Sequence, residues 1–262
     1  MLPREYLLRR RVWAGIGLAV IVALASGASW LTDFDLARAL RAFPEAAGWA
    51  AANFVPDAAA WRRLPKILDK LNETILMAVA SSTVAALFAL VFAIAGARTT
   101  AVHPWAGLVS RGVATVFRNI DVSAWALILL FSFGQSAYTG YLALFFVTFG
   151  FLVRVMIETI DEVSTDSVEA LRATGAAYTA IISQSVIPAC LPRMLSWLLF
   201  MIETNIRSAT LVGILTGTGI GFQFDLYYKS FNYPAASLLV LVVVLAVLAI
   251  EVSSNAIRRA VL

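Results

Sequence analysis

The sequence predicts an all-α, polytopic membrane protein with about six transmembrane helices. Of its 262 residues 61% are hydrophobic and only 14% charged, and the mean hydropathy is +0.84. A soluble domain lies nearer half apolar and a quarter charged. Six apolar runs recur, at about 12–30, 73–96, 112–133, 138–160, 194–216 and 235–256. Each approaches the ~20 residues that cross ~30 Å of hydrocarbon. The arginines gather in short flanks between these runs, a pattern that reports topology rather than nucleic-acid binding.

Taken in order, the first run follows Arg4, Arg9, Arg10 and Arg11 and ends in small residues. A signal peptide has that form, but the run is long enough to span, and an uncleaved first helix with its N-terminus inside is favoured. Residues 31–72 mix acids, bases, Pro44 and Pro56. FDLARALRAF and WRRLPKILDKL have amphipathic spacing, and Trp30, Trp49 and Trp61 suit a membrane interface. Residues 1–72 are therefore read as a first helix plus an extracytoplasmic amphipathic segment, and 73–262 as the transmembrane core. The four residues GQSA at 134–137 make a tight hairpin. Counting crossings from an inside N-terminus puts 98–111, the 161–193 loop, Arg258-Arg259 and both termini in the cytoplasm.

Several chemistries find no support. The single Cys190 allows no internal disulfide, and the lone His103 has no cluster for a metal. None of Lys66, Lys70 and Lys229 follows a glycine, so no phosphate-cradling nucleotide loop is present. With no nucleophile elbow or paired-His helix either, no catalytic residue is assigned.

Three polar stretches interrupt the apolar pattern. EALRATGAAYTAIISQSVIP, Glu169–Pro188, is an island of Ala, Thr, Ser and Gln. Its Gly175 permits a sharp turn, and Pro188 is expected to close the element before the next helix begins. FRNIDVSAWALILLFSFG, 117–134, sets Arg118 and Asp121 at the cytoplasmic start of a span, with Trp125 one turn deeper. ETNIRSATLVGILTGTGIG, 203–221, places Glu203 and Arg207 on one helix face, shared with Ser196 and Thr210. An arginine at mid-span costs on the order of 3 kcal/mol, so this stripe should face protein or water. It is read as a substrate path, against the alternative of an ion pair that only holds helices together. GTGIG, 217–221, suits a re-entrant or turning segment, or else a plain loop start.

Together these stretches resemble the permease subunit of phosphonate ABC importers, from about Phe54 to the C-terminus. NIRSAT is the most specific piece; Glu-Ala, then Gly175, then Ile187-Pro188 mark the wider importer class. The resemblance implies a type I ABC importer permease fold in a bacterial inner membrane. It also implies a second permease copy, two cytoplasmic ATPase subunits that bind the ATP and Mg, and an extracytoplasmic phosphonate-binding protein. Glu169, Ala170, Gly175 and Pro188 would mark the ATPase-coupling loop, and Glu203, Asn205, Arg207, Thr210, Arg118 and Trp125 the substrate path. Three positions depart from the pattern: Leu171 for a second Ala, Ser185 for an apolar residue, and Thr218 within the Gly-rich turn. Two other readings stay open: a permease of this architecture for an amino acid or another anion, and a non-ABC channel or membrane structural protein.

Overall fold

The computed structural model describes residues 4–261, and side chains from 9 to 259. Every regular element among them is helical, and the chain divides into two units, 1–54 and 55–262.

The first unit holds α1 (Arg4–Leu31) and α2 (Leu36–Asn53). Asp35 starts α2 by accepting from the backbone N–H groups of Ala37 and Arg38, satisfying two of the donors a helix start leaves free. No described residue of this unit is buried.

The second unit comprises α3 (Ala58–Trp61), α4 (Leu64–Gly96), α5 (Pro104–Asn119), α6 (Val122–Phe133) and α7 (Ala137–Val163). After these come α8 (Thr165–Ala173), α9 (Tyr178–Ile181), α10 (Ile187–Thr216), α11 (Gly219–Lys229) and α12 (Tyr233–Val261). Among the described residues five stretches are long and apolar enough to span, and α5 with α6 forms a sixth that is bent by 90°. The amphipathic WRRLPKILDKL is not a separate element: from Leu64 it is the opening of α4, which runs unbroken through residue 73.

The core forms where α4 meets α7. Ala78, Ser82, Ala85, Ala89 and Ala93 recur along one face of α4, and all are fully buried. Small side chains let the two backbones approach closely, the usual solution where lipid supplies no hydrophobic drive between helices. From α7, Leu144, Leu152, Val153 and Ile160 fill the contact, and Phe92 meets Phe149 edge to face at 5.2 Å. Gly134 (φ +69°) and Ser136, which accepts from the Thr139 N–H, make the GQSA hairpin.

Two further expectations from the sequence need correction. The run at 112–133 is not one straight helix. Ile120 leaves helical geometry (φ −94°, ψ 122°), and Asp121 restarts the chain by accepting from Ser123 N–H at 2.8 Å. Trp125, instead of lying deeper along the same axis, folds back and stacks on Phe117 at 5.3 Å. Its Nε1–H donates to the Phe117 carbonyl. At this bend α7 contributes Gly150, where a Cβ would lie 2.6 Å from the Arg118 nitrogen.

Pro188, likewise, does not close an element. Residues 182–186 form a π turn that carries α9 directly into α10, and Pro188 is the second residue of α10. A proline lacks an N–H and crowds the carbonyl four residues earlier. Here that carbonyl belongs to Gln184, inside the widened turn, so the helix path continues.

Candidate functional site

The polar stripe of α10 is a three-residue ion cluster. Glu203 is buried (8% exposed), and its Oε1 lies 3.2 Å from an Arg207 terminal nitrogen. Its Oε2 accepts from Arg258 of α12 at 3.1 Å, and Arg258 also donates to Ser254. One carboxylate thus holds two guanidinia, leaving a net positive charge where α10 meets the last turn of α12, at a helix end and not at mid-span as the sequence suggested. The Arg207 side chain is half exposed (49%), whereas Arg258 is more enclosed (27%) and its Nε is buried without a partner. Arg207 is therefore the member of the cluster most open to a ligand. Sequence reasoning missed Arg258 as a site residue: it lies 55 positions from Glu203, and as a base at a helix end it served only to set topology.

The other residues assigned to the path do not converge on one cavity. Asn205 is buried and donates to Ser82 at 2.8 Å and to Thr148 at 2.6 Å, joining α4, α7 and α10. That makes it a polar knot between helices. The Thr210 carbonyl lies against Gly221, where any Cβ would collide with it, and a Cβ on Gly213 would strike the Thr218 carbonyl. These glycines let α11 fold tightly against the end of α10.

GTGIG is a turn. Gly217 ends α10 in the left-handed region (φ +71°) and Gly219 follows at φ +62°. Thr218 gives α11 no side-chain cap; α4 supplies one instead. Glu73 accepts from Gly219 N–H at 3.3 Å and Thr74 from Ile220 N–H at 2.9 Å. Arg118 sits at the α5–α6 bend, and Trp125 is enclosed by Phe117 and Phe146.

The loop after α7 has a different construction. Val168 anchors α8 in the core, while Glu169 and Ala170 on the same short helix are exposed. Gly175 turns the chain at φ +76° with no atom within 4 Å of where a Cβ would stand. Ser185, unusual as a polar residue there, donates to Ser167 at 2.8 Å and so ties the π turn to α8. Both arms of the loop grip the 97–101 turn: Arg172 donates to the Thr99 carbonyl at 2.6 Å and Tyr178 to the Thr100 carbonyl at 3.0 Å. Asp161 accepts from Thr99 N–H at 3.2 Å and pairs with Arg111 at 3.7 Å.

Residues 58–262 match the family described as binding-protein-dependent transport system inner membrane component. The phosphite transport system permease protein PtxC of Stutzerimonas stutzeri is 27% identical, over 98% of this chain and 94% of its own length. The phosphate-import permease protein PhnE of Mycolicibacterium smegmatis is 30% identical over 72% of this chain, which spans only 36% of that longer protein. Among solved structures, an amino acid ABC transporter superimposes with a TM-score of 0.65 at 16% identity, over 77% of this chain and 97% of its own. That likeness speaks for the fold alone.

Proposed function

This chain belongs to the binding-protein-dependent transport system inner membrane component family, and we propose that it forms the membrane path of an ATP-driven importer for a phosphorus oxyanion. As a permease subunit it needs no nucleotide site of its own; partner ATPase subunits supply hydrolysis. A second permease copy completes the path, and an extracytoplasmic phosphonate-binding protein delivers the cargo. Both termini, Met1 and Leu262, lie outside the described residues and are proposed to face the cytoplasm.

The observation that carries the substrate reading is the surplus positive charge at Glu203, Arg207 and Arg258. A guanidinium offers a planar fork of donors that matches two oxygens of a tetrahedral anion. Arg207 keeps that fork half exposed, while Glu203 fixes its position and tempers its affinity, as a site that must release its cargo requires. The likeness to the phosphite permease, nearly end to end, supports the same class of cargo.

Exposed Glu169, Ala170 and Gly175 are proposed as the surface that meets the ATPase, with Pro188 setting the loop onto α10. Rigid-body motion of that partner would reach the path as alternation between inward and outward openings.

The test is uptake of phosphite, methylphosphonate and phosphate by proteoliposomes holding the complex and its binding protein. Changing Glu203 and Arg207 together to apolar residues would strand Arg258, so the informative variant is the triple E203L/R207L/R258M. Restored assembly with lost uptake is the expected result. Full uptake by that variant would remove the cluster from the transport path. Uptake of amino acids instead of phosphorus anions would overturn the substrate class.

A further inference from the structure

A second cluster of arginines lies away from the α10 stripe, along α5 and α7. Here the three carboxylates of α7 are already committed, Glu158 to Arg154, Asp161 to Arg111 and Glu162 to Arg193, and Asp121 at the bend caps α6 by accepting from Ser123 N–H. Two guanidinia are left over. Among the described residues Arg98 and Arg118 make no ion pair and no side-chain hydrogen bond, so the surplus charge of the region is positive.

Arg154 lies between two cavities. One, of about 300 Å³, also touches Arg98 and Arg111. The other, of about 140 Å³, is bounded by Thr115, Arg118, Asn119 and Arg154 at the 90° bend between α5 and α6. A water takes roughly 30 Å³ of liquid, so this open pocket, whose polar lining residues are all exposed, has room for one tetrahedral anion with a few waters. Arg118 has its whole fork available. Arg154 uses Nε on Glu158 and keeps both terminal nitrogens. Two guanidinia at one small cavity make a natural partner for an oxyanion.

We infer that the Thr115–Arg118–Asn119–Arg154 cavity is a second station for a phosphorus oxyanion, placed at the bend of the broken span. The inference rests on the substrate reading above and adds a position to it. The same chemistry is carried by a soluble phosphite or phosphate and by the headgroup of an anionic lipid, and the experiment separates these sources.

The only native thiol of this chain, Cys190, is fully buried, so Thr115→Cys gives each copy of the chain one accessible thiol, followed on the permease band after labelling. Its reaction rate with a neutral maleimide is followed in lipid-free detergent, with phosphite or phosphate against chloride at equal ionic strength. A second arm uses nanodiscs of phosphatidylglycerol or phosphatidylcholine without soluble oxyanion. The expected result is protection by phosphite or phosphate, about tenfold at an anion concentration ten times its dissociation constant. Adding Arg118→Gln abolishes the protection and Arg118→Lys weakens it. Protection by phosphatidylglycerol alone would reassign the cavity to a lipid headgroup and overturn its place on the path. Equal rates in every condition would overturn the site altogether. If uptake of phosphorus anions persists while the thiol is unprotected, only the station falls. If protection persists without such uptake, the transport reading falls and the anion site stands.

Discussion

The α10 cluster and the loop after α7 use their charges in opposite ways. Glu203 is buried, and its two arginines come from two helices, so each member answers the charge of the others. In the loop, Arg172 and Tyr178 donate to backbone carbonyls, while Glu169 faces outward. The first arrangement is intolerant, because a missing member leaves a charge behind. The second attaches one piece of backbone to another and leaves an exposed surface free to change. Stability should therefore depend on the cluster and its corner, and communication with a partner on the loop.

The largest effect is expected beside the cluster, at Gly221. A side chain there meets the Thr210 carbonyl, a backbone atom that cannot yield, so Gly221→Val should exceed the ~1–3 kcal/mol of ordinary overpacking and keep the subunit from folding. Size-exclusion chromatography in detergent should show no folded subunit; a normal elution profile would mean that the corner is slack.

Next comes Glu203→Ala, which leaves two guanidinia without their shared carboxylate and should cost about 3–5 kcal/mol. Thermal unfolding of the purified complex measures it. If Arg258→Met in the same background recovers none of the loss, the two arginines do not share the carboxylate as described.

A smaller effect is expected in the loop. Gly175→Val forces a β-branched residue to φ +76°, a strain of about 1–3 kcal/mol, yet nothing stands in the way of its side chain. The subunit should insert and fold while ATPase association drops in a pull-down. Retained association with full substrate-stimulated hydrolysis would show that this loop does not couple the two. Smallest of all, Tyr178→Phe removes one hydrogen bond to Thr100, worth about 1 kcal/mol. It should lower transport per ATP hydrolysed with only a small drop in melting temperature; a melting shift as large as that of Glu203→Ala would erase the contrast between the regions.

The spans were legible in the sequence because apolar length alone determines them. The Glu203–Arg207 pair was legible too, since positions four apart share a helix face. The bend at 119–121 was harder, because Val122 resumes an apolar run as though nothing had intervened. Asp121 carried the signal as a capping residue, but a cap can be told from an ordinary polar flank only by the direction the chain takes next. Arg258 was invisible as a partner because its contact with Glu203 is tertiary. Asn205 sat in the right motif, but only its bonds to Ser82 and Thr148 reveal which way it faces. The π turn at 182–186 left no local trace apart from the proline that follows it.

That π turn is in effect one surplus residue inserted into an α-helix. Deleting Ser183 would let α9 and α10 close into a continuous α-helix and rotate everything before the turn by about 100° relative to α10. Exposed Glu169 would then point to a different quarter of the molecule with no side chain substituted. The turn thus fixes an angular phase between the loop and the membrane helix. Insertions or deletions on either side of it carry a penalty unrelated to polarity or size, since each residue gained or lost acts as a turn of a dial.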